Sequence, residues 1–138
     1  MEKILMHVTH TDTGFGCWCD LLPGWTTTHG HDFAKFERYV YESVDFYVKC
    51  AREDGDEYPS VLDGDYRIVY DFDVCGLLNY YKGVLSLSGL QKITGVNQKQ
   101  LAHYAAGRSK PRKQMAERIQ ASLRIFGQEL QNISLWAE

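Results

Sequence analysis

The sequence predicts an α+β chain in two parts, an N-terminal β-β-β-α-β unit followed by a part made of helices alone. Three observations carry that expectation. Apolar residues alternate with period two at the front of the chain, the period changes to steps of three and four from Asp32, and the charge changes sign near Tyr81. Residues 1–81 hold six Lys or Arg against fifteen Asp or Glu, a net of −9, whereas residues 82–138 hold nine against three, a net of +6. The whole-chain value of −3 conceals this split. A basic part suits a polyanion such as nucleic acid, while an acidic part repels one and suits a basic protein surface.

The first strand is read from Ile4, Met6 and Val8, which point one way while Leu5, His7 and Thr9 point the other. Turn residues Thr11 to Gly14 lead into a second alternating run, Phe15 to Asp20. Leu21 to Gly24 then turn the chain into Trp25–Thr28. From Asp32, a cap whose carboxylate can accept first-turn amides, Phe33, Phe36, Val40, Val44, Tyr47 and Ala51 define one helical face. Lys35, Arg38, Glu42, Asp45, Lys49 and Arg52 take the wet side, and the helix fades in the charged stretch 53–57. A polar turn at Asp63 to Asp65 precedes a last strand, Tyr66 to Phe72, which closes the first domain at 1–72.

The second domain, 73–138, opens with a short helix from Val74 to Tyr81 that offers Leu77, Leu78 and Tyr81 to a core. Leu87, Leu90 and Ile93 then face one short helix, Gly95 supplies a bend that needs a positive φ, and Val96, Leu101 and Tyr104 face a second. This is helix-turn-helix spacing. Asn97 can cap the second helix, with Gln100 completing a capping box, which leaves Gln98, Lys99 and His103 on the outside. Gln can pair with an adenine edge and Lys can reach guanine acceptors, so this face has the chemistry of a major-groove reader. Arg108, Ser109, Lys110, Arg112 and Lys113 follow where the chain would pass the phosphate backbone. Met115, Ile119, Leu123, Phe126 and Leu130 mark a longer amphipathic helix that closes the domain or forms a dimer seam.

Composition sets the class. With 138 residues, 44% hydrophobic and 24% charged, the chain matches one ordinary globular domain or two very small ones, which excludes disorder and collagen. No run approaches the ~18 apolar residues of a spanning helix, and the opening MEKILMHVTHTD lacks the apolar core of a secretory leader. A cytoplasmic protein without membrane association is expected. Cys17, Cys19, Cys50 and Cys75 show no C-x-x-C spacing, so reduced and mostly buried thiols are expected.

The string TGVNQKQLAHYAAGRSKPRKQMAERIQ resembles the phage-repressor or Xre type of helix-turn-helix over roughly Leu77 to Phe126. GFGCWCDLLPGWTTTHG and the amphipathic helix after it resemble the partial ribonuclease H fold of HicB-type antitoxins, whose pattern is G-F and then D-L-P-G. The helix opening His31, Asp32 and Phe33 departs from that family's acidic opening. The resemblance implies an antitoxin that binds a HicA-type ribonuclease toxin through its first domain and represses its own operon through its second. It assigns base reading to Gln98, Lys99 and His103 and backbone contact to Arg108, Lys110 and Arg112, with Ser109 among them. A homodimer or higher even-numbered oligomer on a palindromic operator is implied, with no cofactor, no bound metal and no catalytic residue.

Three other readings compete with this one. A ribonuclease H fold can host two-metal nucleolysis; Asp20, Asp71 and Asp73 could meet at a strand end, but no carboxylate lies between Lys3 and His10, and solvated surface acids are the expectation. Cys17, Cys19, His29 and His31 include zinc-ligand types, yet two cysteines on one strand face are expected in a core. A stand-alone transcriptional regulator with an N-terminal sensing domain needs a concave apolar pocket, for which some eighty residues leave little interior.

Overall fold

The computed structural model describes residues 1–138, which divide into two units, Met1–Tyr80 and Tyr81–Glu138. The chain is mixed α+β, with a four-stranded sheet first and helices after it. In the first unit β1 (Glu2–Thr11), β2 (Gly14–Trp18), β3 (Thr26–Thr28) and β4 (Tyr66–Phe72) lie in the order β3-β2-β1-β4. Tight turns make β1, β2 and β3 antiparallel neighbours, whereas β4 runs parallel to β1 after the crossover through helix α1 (Phe33–Asp54). Alternation works as expected: Ile4, Met6 and Val8 are buried, and the register sets Ile4 beside Ile68 and Val8 beside Cys17 on the same face.

Helix α1 covers that face. Asp32 caps it, accepting from the Ala34 and Lys35 amides at 3.0 and 3.3 Å, and Gly55 ends it at φ 71°, with the Asp56 amide returning to the Ala51 carbonyl. Its buried stripe is Phe36, Val40, Val44, Val48 and Ala51. Val48 takes the place expected for Tyr47, because steps of four from Val40 hold the line of contact and leave Tyr47 half-buried at the flank.

Gly14 is fixed by its surroundings. It sits at φ 123°, and a Cβ there would lie 2.2 Å from the Gly30 carbonyl oxygen, so no larger residue fits where β2 begins. A 3-10 turn, Ser60–Asp63, stands where the sequence suggested only a polar turn beginning at Asp63. It buries Leu62 and is tied to the end of α1 by a cluster in which Arg52 donates to the Tyr58 hydroxyl at 2.8 Å and to Asp63.

Helix α2 (Val74–Tyr80) belongs to the first unit. The expected boundary after residue 72 gives way to one after Tyr80, because Asp73 joins α2 to the sheet. Its amide donates to the Val8 carbonyl at 3.1 Å, one carboxylate oxygen accepts from the Thr9 hydroxyl at 2.6 Å, and the other caps α2 at the Gly76 amide at 2.7 Å. Val74, Gly76 and Leu78 are buried, while Tyr81, expected in a core, is exposed.

The second unit consists of α3 (Leu87–Thr94), α4 (Gln98–Ala105) and α5 (Lys113–Gln131) around Leu90, Val96, Leu101, Tyr104 and Ile119. Ser86 caps α3 by accepting from the Gly89 amide at 3.0 Å, and Gly95 ends it at φ 73°. Thr94 is buried with its hydroxyl donating to the Leu90 carbonyl at 2.7 Å and accepting from the Val96 amide at 3.1 Å, so the bend leaves no orphaned polar group at that position. On α5 the expected stripe is buried at Ile119 and half-buried at Met115, Leu123 and Phe126, but Leu130 is 53% exposed.

Candidate functional site

Helix α4 turns its apolar residues inward and its polar ones out. Leu101 and Tyr104 are buried; Gln98, Lys99 and His103 are all exposed. Two side chains hold its first turn: Asn97 accepts from the Lys99 amide at 2.8 Å, and Gln91 of α3 reaches across the bend to accept from the Gln98 amide at 2.7 Å. The expected capping box is half-made. Gln100 turns away from Asn97 and donates to the Ser109 hydroxyl at 3.3 Å, tying the start of α4 to the loop beyond its end.

That loop has a defined stop. Gly107 at φ 74° donates to the Tyr104 carbonyl at 3.1 Å and the Arg108 amide donates to the His103 carbonyl at 3.0 Å, a Schellman motif that fixes the direction in which Arg108 leaves the helix. Arg108, Lys110, Arg112 and Lys113 are exposed and Ser109 is half-buried. No carboxylate lies within ion-pair distance of Arg108, Lys110 or Arg112, while Lys113 reaches Glu117 at 4.0 Å. One exposed helix bearing an amide, an ammonium and an imidazole, followed by four cations, can meet base edges and phosphates together.

The first unit presents a different chemistry. On the sheet face away from α1, His7 lies between two carboxylates, with Nδ1 3.2 Å from Asp71 and Nε2 3.3 Å from Asp20. Only the imidazolium can donate to both. Asp20 raises the His7 pKa above its ordinary 6.5, partial burial opposes that rise, and Asp71 adds to it. Trp18 leans on the same ring, with centroids 5.4 Å apart. Strand alternation alone puts His7 on the face opposite Met6 and gives it no partner, since its partners come from a turn and from a strand 64 residues away.

The three carboxylates considered for metal chemistry are separated by these duties. Asp20 and Asp71 flank His7, and Asp73 is engaged by Thr9 and Gly76. Cys17 and Cys19 are buried free thiols, and burial pushes the Cys17 thiol up to about 12. His29 and His31 are exposed, His31 lying 2.9 Å from a ring nitrogen of His10. No three His, Cys, Asp or Glu side chains gather closely enough to hold a metal ion, and no helix is long and apolar enough to cross a membrane. A depression of about 430 Å³ beside α1 is lined by Asp45, Val48, Lys49, Arg52, Glu53 and Leu62, a mostly charged wall. Compared with protein-family models, with curated proteins and with solved structures, the chain has no match.

Proposed function

We propose that this chain is a HicB-type antitoxin. Its first unit, a partial ribonuclease H-like domain, binds and neutralises a HicA-type ribonuclease, and its second, an Xre-like helix-turn-helix domain, binds operator DNA to repress its own operon in the cytoplasm. One observation carries the reading: the change of charge falls where the chain divides. The unit Met1–Tyr80 has a net charge of −9 and the unit Tyr81–Glu138 a net of +6. A negative surface speeds encounter with a protein that grips RNA and competes for its cationic groove; a positive one condenses on a duplex.

In this mechanism α4 enters the major groove, Gln98, Lys99 and His103 read base edges, and Arg108, Ser109, Lys110 and Arg112 set the register on phosphates. The dimer that a palindromic operator requires is supported by Ile125, Leu130, Ile133, Leu135 and Trp136, which are 57%, 53%, 59%, 93% and 84% exposed near the end of the chain. The chain does no chemistry of its own and needs no cofactor; it acts by occupying two surfaces.

The test has two arms. The full chain is mixed with a purified HicA-type ribonuclease, and separately with the DNA upstream of the chain's own gene. Loss of RNA cleavage at equimolar protein, together with a shifted DNA band that disappears as salt rises, is the expected result. Undiminished cleavage and no preference for the upstream DNA over an unrelated duplex would overturn it.

A further inference from the structure

Gln100 is the polar residue of α4 that neither the core nor the cap uses. It is exposed, and its side chain reaches the loop beyond the helix, where Nε2 donates to the Ser109 hydroxyl at 3.3 Å. That contact has one sense. An amide nitrogen only donates, so Gln100 fills a lone pair of the Ser109 Oγ and leaves the hydroxyl its own proton to give. No group of the protein accepts that proton.

The loop around Ser109 is fixed on both sides. Before it, Gly107 closes the Schellman motif at φ 74°. After it, Pro111 locks its own φ and holds Lys110 extended, and Arg112 opens α5 with its carbonyl accepting from the Ala116 amide at 3.0 Å. Arg108, Lys110 and Arg112 are exposed while Ser109 is half-buried, so a neutral donor sits held within a row of cations.

We infer that Gln100 is a positioning residue for DNA: by filling one lone pair of the Ser109 hydroxyl it turns the proton outward, and Ser109 gives that proton to a phosphate oxygen. The inference rests on the operator-binding reading and adds to it a residue that touches no DNA. An anionic oxygen suits the donor. The flanking cations carry the loop to the backbone, a hydroxyl that already accepts a hydrogen bond is polarised into a better donor, and a charged acceptor makes the stronger bond.

The experiment measures binding of the full chain to the DNA upstream of its gene and to an unrelated duplex by fluorescence anisotropy, with Ser109→Ala, Gln100→Ala, the double variant and Ser109→Thr. Ser109→Ala removes the donor and is expected to raise Kd about tenfold on both duplexes. Gln100→Ala leaves an unoriented hydroxyl and is expected to raise it about threefold. The double variant should match Ser109→Ala, and Ser109→Thr, which keeps the hydroxyl, should stay within about twofold of the unmodified chain. The slope of log affinity against log salt should not change in any of them, because a neutral donor releases no counterion. Equal losses from the two single variants overturn the inference, since the link then only tethers the loop. No loss from Ser109→Ala overturns it too, because the proton then lies inward on Gln100. So do additive losses in the double variant, or a loss from Gln100→Ala confined to the upstream DNA, the mark of a base contact. In each of these the DNA reading stands. No binding of either duplex by the unmodified chain removes the DNA reading and this inference with it.

Discussion

The two units use their charged groups in opposite ways. In the first, polar side chains are turned on one another: Asp20 and Asp71 on His7, Asp73 on Thr9 and the first turn of α2, Arg52 on Tyr58 and Asp63. In the second, Arg108, Lys110 and Arg112 stand without a carboxylate, and the hydrogen bonds that matter orient backbone and caps. Charges satisfied internally give little salt dependence to binding, whereas unpaired cations on an ordered loop gain most from a polyanion. The first unit spends a few of its fifteen acids, Asp20, Asp32, Asp63, Asp71 and Asp73, on its own shape and leaves the rest as its negative field, whereas the second holds the cations of one ordered loop unpaired.

The contrast is broken hardest at Gly14. Gly14→Ala forces a Cβ into the Gly30 backbone and is expected to destabilise the first unit by about 2–4 kcal/mol in urea unfolding, while DNA affinity of the intact chain stays within about twofold. A comparable loss of DNA affinity would show that the units do not act separately. Next in size is the triple variant Arg108→Ala, Lys110→Ala, Arg112→Ala. It should lower the slope of log affinity against log salt by about 2–3 and weaken all duplexes alike, whereas removing three cations from the first unit should leave the slope unchanged.

Gln98→Ala or Lys99→Ala sharpens the comparison within the basic unit. Each should reduce discrimination between operator and unrelated DNA by about 1–3 kcal/mol in competition binding, with the salt slope nearly constant. The smallest effect concerns His7. Because its folded pKa is raised, its contribution to stability is full below the ordinary 6.5 and is lost as pH rises through the folded value. The Tm gap between the unmodified chain and His7→Gln is expected to be wider near about pH 6 than near about pH 8.5. A gap independent of pH contradicts the clamp.

What was legible in the sequence follows the range of the forces involved. Strand β4 was read at Tyr66 to Phe72, and the caps Asp32 and Asn97 were read correctly, because periodicity and capping are settled within a few residues. The outward side of α4 was legible for the same reason: Leu101 and Tyr104 fix which way Gln98, Lys99 and His103 face. Long-range choices were hidden. Asp73 looked like a boundary residue, yet its links to Val8 and Thr9 draw α2 into the first unit. Gln100 had two partners to choose from, and Ser109 becomes available only once Gly107 turns the chain back. The His7 clamp needs the register of β1 against β4, which no local pattern specifies.

Hydrogen exchange on the intact chain tests the division of labour most directly. The chain is measured alone, with the DNA upstream of its gene, and with a purified HicA-type ribonuclease. The expected result is that DNA slows exchange within residues 97–113 and the protein partner slows it within residues 1–80. Protection of residues 1–80 by DNA, or of residues 97–113 by the protein partner and not by DNA, would contradict the assignment of one surface to each.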